Sequence, residues 1–169
     1  MDHRQIWFRE GLNALDTQSA HDLVRSAELK KLCDLMQVAA FWACDRTPQD
    51  WAIALRYSRP IISVWDQEHL IGFARATSDG IYRATIWDVV IHPDYRGEGL
   101  GRKLVQTLLA HPHMNRVERV SLMTTHHQSF YEGIGFEQNA STTMVLYQHN
   151  APAPLLSEQQ VSNSNYGAE

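Results

Sequence analysis

Glycines at alternate positions, Gly97, Gly99 and Gly101, stand between an apolar run, Tyr82–Ile91, and a helical pattern that begins near Leu100. Glycine admits positive φ and lets a ligand approach the backbone closely. The first amides of a helix have no internal partner and carry partial positive charge, so several of them converging there form a cradle for an anion. The helix terminus alone is worth about 0.3–2 kcal/mol toward an anion, and Arg96 and Arg102 add full charges at the rim. Phosphate or diphosphate is the chemistry this suits. A dinucleotide fingerprint requires glycine where Arg102 stands, and a Walker loop requires Gly-Lys-Ser/Thr after its spacers; both patterns fail. The other candidates for chemistry are scattered. Of 9 histidines only His126 and His127 are adjacent, and the 2 cysteines, Cys33 and Cys44, have no metal-ligand spacing. No metal is expected.

The elements that must hold this loop can be read from periodicity. A helical period from about Ser19 runs through Leu29, Leu32, Cys33, Met36, Ala39 and Ala40. Thr47-Pro48 reads as an N-cap followed by a first-turn proline, opening a helix through Trp51, Ile53, Ala54 and Leu55. Strands are predicted at Ile6–Phe8, Pro60–Trp65, Leu70–Thr77, Tyr82–Ile91, Val117–Met123 and Thr142–Tyr147, the second and third joined by a polar turn. Tyr82–Ile91, apolar nearly throughout, is expected at the centre of the sheet. Leu100, Leu104, Val105, Leu108 and Leu109 form one face of a helix that stops near His111-Pro112, and Gln128–Gly133 reads as a short helix. The order predicts a mixed α/β sandwich on one central sheet.

With 169 residues, 44% of them hydrophobic, the chain has the size and core of one domain. Its net charge of −4 offers no basic face for nucleic acid or anionic lipid, so neither nucleic acid nor membrane is an expected partner. No apolar run is long enough to cross a bilayer, the first residues do not read as a signal peptide, and the sparse cysteines fit a reduced compartment; a cytoplasmic protein is expected. Residues 1–150 are read as the folded domain. Ala151–Glu169, rich in Pro, Ser, Gln and Asn, is read as a flexible polar tail.

The glycine segment, Arg96-Gly97-Glu98-Gly99-Leu100-Gly101, resembles the acyl-CoA pyrophosphate loop of the GNAT superfamily of N-acetyltransferases, whose pattern is Arg/Gln-x-x-Gly-x-Gly/Ala. Val90-Ile91-His92-Pro93 upstream and Tyr131-Glu132-Gly133-Ile134-Gly135-Phe136 downstream resemble neighbouring family motifs. Ile61–Tyr147 carries the likeness, and Leu70–Asp79 with Ala84–Val90 is similar to the plastid and cyanobacterial branch that includes serotonin N-acetyltransferases. The resemblance implies a GNAT-like α/β fold in which Tyr82–Ile91 and Val117–Met123 splay apart, with the thioester of acetyl-CoA in the gap.

It also implies roles. Val89, Val90 and Ile91 would bind the pantetheine arm through their backbone. Gly97, Glu98, Gly99, Leu100, Gly101 and Arg102 would take the pyrophosphate, with Arg96 beside them. Tyr131 matches the residue that protonates the departing thiolate in many relatives. The base is a departure: the family's asparagine, or the aspartate of the close plant branch, is Thr124 here, which leaves His126 and His127 close by, Asp88 if a bulge re-aims it, or ordered water. His127 aligns with a position that packs near the cofactor. Tyr82, Trp87 and Phe41-Trp42 are candidate walls for an aromatic acceptor. The implied activity is acetyl transfer to a primary amine, an arylalkylamine such as serotonin or tryptamine. Protein lysines or N-termini are the alternative substrates, and an acyl-CoA-binding sensor without transfer, or a nucleotide-binding regulator, are the non-catalytic readings. Dimers are frequent in the superfamily, but no residue here identifies one.

Overall fold

The computed structural model describes residues 4–12, 24 and 26–146, in two units that meet at Glu137/Gln138. In the first unit, β1 (Ile6–Glu10) precedes helices α1 (Ala27–Ala39) and α2 (Pro48–Arg56), then strands β2 (Ile61–Asp66), β3 (His69–Ser78) and β4 (Arg83–Ile91). Helix α3 (Leu100–Ala110), strand β5 (Arg119–Ser121) and helix α4 (Gln128–Glu132) follow. The sheet order is β1-β2-β3-β4-β5. Each pair is antiparallel except β4–β5, which is parallel and therefore needs the crossover that α3 supplies.

Alternation along β2 places Ile61 and Trp65 against α1 and α2 on one face, while Ile62 and Val64 meet α3 on the other. On the first face Leu29, Leu32, Leu35 and Met36 of α1 pack with Trp51, Ala52 and Leu55 of α2. Trp51 meets Phe73 edge to face at 6.2 Å. On the second face Leu104, Val105 and Leu108 of α3 cover Ile71, Ala74, Ala84 and Ile86. Burying each large apolar side chain contributes roughly 1.5–3 kcal/mol, so the sheet is held from both sides. The helix starts follow the expected chemistry: Ser26 Oγ accepts from Leu29 N at 3.1 Å, and Thr47 Oγ1 accepts from Asp50 N at 3.1 Å with Pro48 in the first turn.

Strand β4 changes face partway along. Ala84 and Ile86 lie with the α3 layer, but Val90 lies with α1, although unbroken alternation would put all three together. The cause is a bulge: Trp87 is opposite Arg75 and Val90 opposite Phe73, so β4 carries an extra residue between them, and Asp88 sits there at φ 54.

Two expectations are corrected. The strand predicted over Val117–Met123 is only Arg119–Ser121, because its pairing with β4 stops at Thr85/Ser121. The strand predicted over Thr142–Tyr147 does not form at residues 142–146, which are irregular, with Met144, Val145 and Leu146 exposed; Tyr147 and the predicted tail Ala151–Glu169 lie outside the described residues. Among the described residues, no helix is long and apolar enough to cross a membrane.

Candidate active site

The site begins where the sheet opens. β4 and β5 pair at Arg83/Arg119, Ala84/Val120 and Thr85/Ser121, and no further. From Ile86 to Ile91 the edge of β4 that faced β5 has no strand partner among the described residues, while its other edge still pairs with β3 at Phe73/Val90 and Gly72/Ile91. Val89 lies along this open edge, where backbone groups are available to an extended ligand, whereas Val90 stands opposite Phe73 of β3. The Ile91 carbonyl is already engaged: it accepts from Arg96 Nε at 3.0 Å.

After β4, a 3-10 turn at Pro93–Tyr95 leads into the glycine loop. Gly97 has φ 84 and Gly99 φ 79, conformations that a side chain resists. A Cβ at either would meet nothing within 4 Å, so torsion and not crowding calls for glycine, and the space outside is open. Gly99 is the N-cap of α3 and offers no side-chain oxygen, and the first turn contains no acidic residue. The leading amides of α3, from Leu100, Gly101 and Arg102, therefore lack a capping side chain, as an anion cradle requires. Gly101 lies against α4, where a Cβ would sit 3.4 Å from Phe130 Cζ, an ordinary contact distance.

The loop's charged residues are spread apart. Arg96 is tied down, its Nε on the Ile91 carbonyl and its Nη2 donating to the Ala39 carbonyl at 3.3 Å, which links the loop to the end of α1. Glu98 turns toward the N-terminal segment, accepting from Arg4 Nη1 at 2.6 Å. Arg102 reaches toward α4: a Cβ at Gly133 would meet its Nη2 at 3.0 Å.

Helix α4 carries Tyr131, half-buried on the α3 layer between Phe130 and Phe136, with ring centroids 4.9 and 5.9 Å away. Burial pushes its phenol above the ordinary tyrosine range, so Tyr131 holds its proton through neutral pH, as a proton donor must. His127 caps α4 from an exposed position one turn before Tyr131, and its amide donates to Thr124 Oγ1 at 3.2 Å. Thr124 thus shapes the turn, and His126 beside it is also exposed.

Asp88 is held by two arginines. Its side chain is 4% exposed, and its carboxylate accepts from Arg75 Nε at 2.6 Å and Arg46 Nη1 at 2.9 Å. Arg75 Nη1 donates onward to Ser58 Oγ at 2.9 Å. A carboxylate with both oxygens on guanidinium groups is well placed to fix the bulge. Neither arginine announces itself in the sequence; the only local signal is an aspartate within the apolar run Ile86–Ile91. Of the candidate acceptor walls, Tyr82, Phe41 and Trp42 are exposed, and Trp87 is half-buried with its Nε1 on Thr77 Oγ1 at 3.0 Å. Among the described residues, no group of three His, Cys, Asp or Glu side chains could hold a metal ion.

The chain is similar to known proteins. The profile of the acetyltransferase (GNAT) domain matches residues 58–138. An uncharacterized N-acetyltransferase, ycf52, of Porphyra purpurea is 40% identical over 114 residues, 64% of this chain and 63% of the algal protein, so the chain spans a little under two thirds of that relative. An uncharacterized ycf52-like N-acetyltransferase of Prochlorococcus marinus is 36% identical over 144 residues, 80% of this chain and 79% of the relative. The chloroplastic serotonin N-acetyltransferase 2 of Oryza sativa is 33% identical over 98 residues, 56% of this chain and 45% of the rice protein. A GNAT family acetyltransferase structure from Streptococcus pneumoniae superposes with a TM-score of 0.65 at 21% identity, covering 86% of this chain and 100% of that one, a likeness of fold.

Proposed function

The chain belongs to the GNAT acetyltransferase family, and from that premise we propose that it moves the acetyl group of acetyl-CoA to a primary amine. The observation that carries this reading is the coincidence, at one end of β4, of an unpaired strand edge with an uncapped glycine-lined helix start. An extended pantetheine arm suits the former at Val89, and a diphosphate suits the latter at Gly97–Arg102. Bound acetyl-CoA supplies an activated thioester; the chain's own groups orient it and move protons.

The amine attacks as the free base, although alkylamines have pKa values near about 10. Its nitrogen lone pair forms the new C–N bond, and a backbone N–H near Val90 stabilises the oxyanion. Collapse breaks the C–S bond, and Tyr131 passes its phenolic proton to the leaving thiolate. The proton shed by the attacking nitrogen leaves through water or His127, since Thr124 has no carboxylate to receive it. Tyr131 then takes a proton back from solvent.

Within that class an arylalkylamine such as serotonin or tryptamine is the proposed acceptor. Two features support it: the likeness to the rice protein named a serotonin N-acetyltransferase, and the exposed aromatic pair Phe41-Trp42, with rings 5.2 Å apart edge to face. The test is thiol release from acetyl-CoA against a panel of arylalkylamines, aliphatic amines and lysine peptides. Acceleration by tryptamine or serotonin above the others is expected, and acceleration by peptides alone would move the proposal to protein substrates. If no acceptor accelerates release while CoA binds, the chain is a sensor and the transferase reading fails.

A further inference from the structure

We propose that Arg4 is a positioning residue for the cofactor, one that masks a negative charge built into the diphosphate loop; this rests on the acetyl-CoA reading above. Glu98 lies between the two positive-φ glycines, in the stretch of backbone that would receive an anion. A carboxylate there opposes the ligand's charge. Arg4, ahead of β1 and 94 residues away in sequence, meets it with a 2.6 Å ion pair.

The pair belongs to a brace. The Arg4 guanidinium lies 4.6 Å from the centre of the Tyr95 ring, and Tyr95 Oη donates to Asp66 Oδ2 at 2.8 Å. Asp66 Oδ1 in turn accepts from the amide of Gln5 at 2.9 Å. Residues 4 and 5 are thus tied at one end to the last residue of β2 and at the other to the loop. The brace draws Glu98 toward the N-terminal segment, and the first turn of α3 carries no capping side chain.

The Arg4 and Glu98 side chains are 39% and 49% exposed, so the pair adds little to stability. Its effect falls on ligand charge. A carboxylate left unmasked within several ångströms of a diphosphate weakens binding by roughly three- to tenfold at low salt.

The experiment measures CoA affinity by titration calorimetry and KM for acetyl-CoA in the wild type, Arg4→Ala, Arg4→Lys, Glu98→Gln and the Arg4→Ala/Glu98→Gln double variant, with melting temperatures alongside. Arg4→Ala is expected to weaken CoA about three- to tenfold at low salt with an unchanged melting temperature. Arg4→Lys should stay near wild type, and the double variant should recover the affinity that Arg4→Ala loses. Raising the salt concentration should shrink the loss. If Arg4→Ala binds CoA as the wild type does, or if Glu98→Gln fails to restore binding, charge masking is overturned. If the wild type itself does not bind CoA, the acetyl-CoA reading fails instead, and the two failures are distinguishable.

Discussion

Replacing Asp88 tests whether the bulge in β4 is held by its ion pairs. The carboxylate is nearly inaccessible and bridges Arg75, whose side chain is 14% exposed, and Arg46, at 36%. Removing one partner of a buried pair costs about 3–5 kcal/mol, whereas the half-open Arg46 contact is worth well under about 1 kcal/mol. Arg75 keeps its bond to Ser58, which softens the loss. Alanine at φ 54 adds about 1 kcal/mol that aspartate largely avoids. Asp88→Ala should therefore destabilise the fold by about 3–4 kcal/mol, lowering the melting temperature by about 6–16 °C for a chain of this length. Asp88→Asn tolerates the same backbone and keeps one acceptor, so its loss should be near half. Thermal unfolding by circular dichroism gives the first readout. Steady-state kinetics gives the second, with KM for acetyl-CoA rising as the open edge at Val89 loses its alignment. A melting temperature within about 2 °C of wild type in Asp88→Ala would refute the clamp. So would an asparagine variant of unchanged stability that has lost turnover outright, because that pattern marks a proton acceptor.

Other substitutions probe the remaining parts. Tyr131→Phe should lower kcat by about 10²-fold or more with CoA affinity retained, and an ultraviolet difference titration against wild type should show the missing tyrosine ionising above the usual range, because burial raises its pKa. Ionisation below about pH 10 would contradict the burial account. Gly99→Ala, at φ 79 with empty space around it, should cost about 1–2 kcal/mol through torsion alone and weaken CoA binding, both measurable by melting and calorimetry. The Asp66 carboxyl is held below its ordinary range, first by the Gln5 amide and then by the Tyr95 hydroxyl. A depressed folded pKa gives stability that is full above about pH 4 and lost as pH falls through the folded value. Acid unfolding should accordingly be less steep in Asp66→Asn than in wild type, and parallel curves would count against the bond.

The sequence carried the parts of the site that are local. The glycine loop and its helix follow from spacing, because torsion, helix ends and amphipathic period act within a few residues, whereas Tyr131 is singled out by the family resemblance. What it could not carry depends on partners far along the chain. Val117–Met123 has the composition of a longer strand, but β4 turns away after Thr85 and nothing in the segment itself records that. Asp88 raised the question of a bulge, while the side chains that fix it come from positions 13 and 42 residues distant. The Arg4–Glu98 pair spans 94 residues and joins two exposed charges, each unremarkable in isolation. Residues 142–146 have strand-like composition but are irregular.

The extra residue in β4 means the strand is read in two frames. Ahead of Asp88 the even positions, Ala84 and Ile86, look toward α3; past it Val90 looks toward α1 and Ile91 takes over the other side. A polar residue walked along the strand would be rejected with a rhythm that slips by one step at the bulge. A deletion of one residue there would send Val90 and Ile91 to each other's layers, so the strand admits changes of side chain more readily than changes of length.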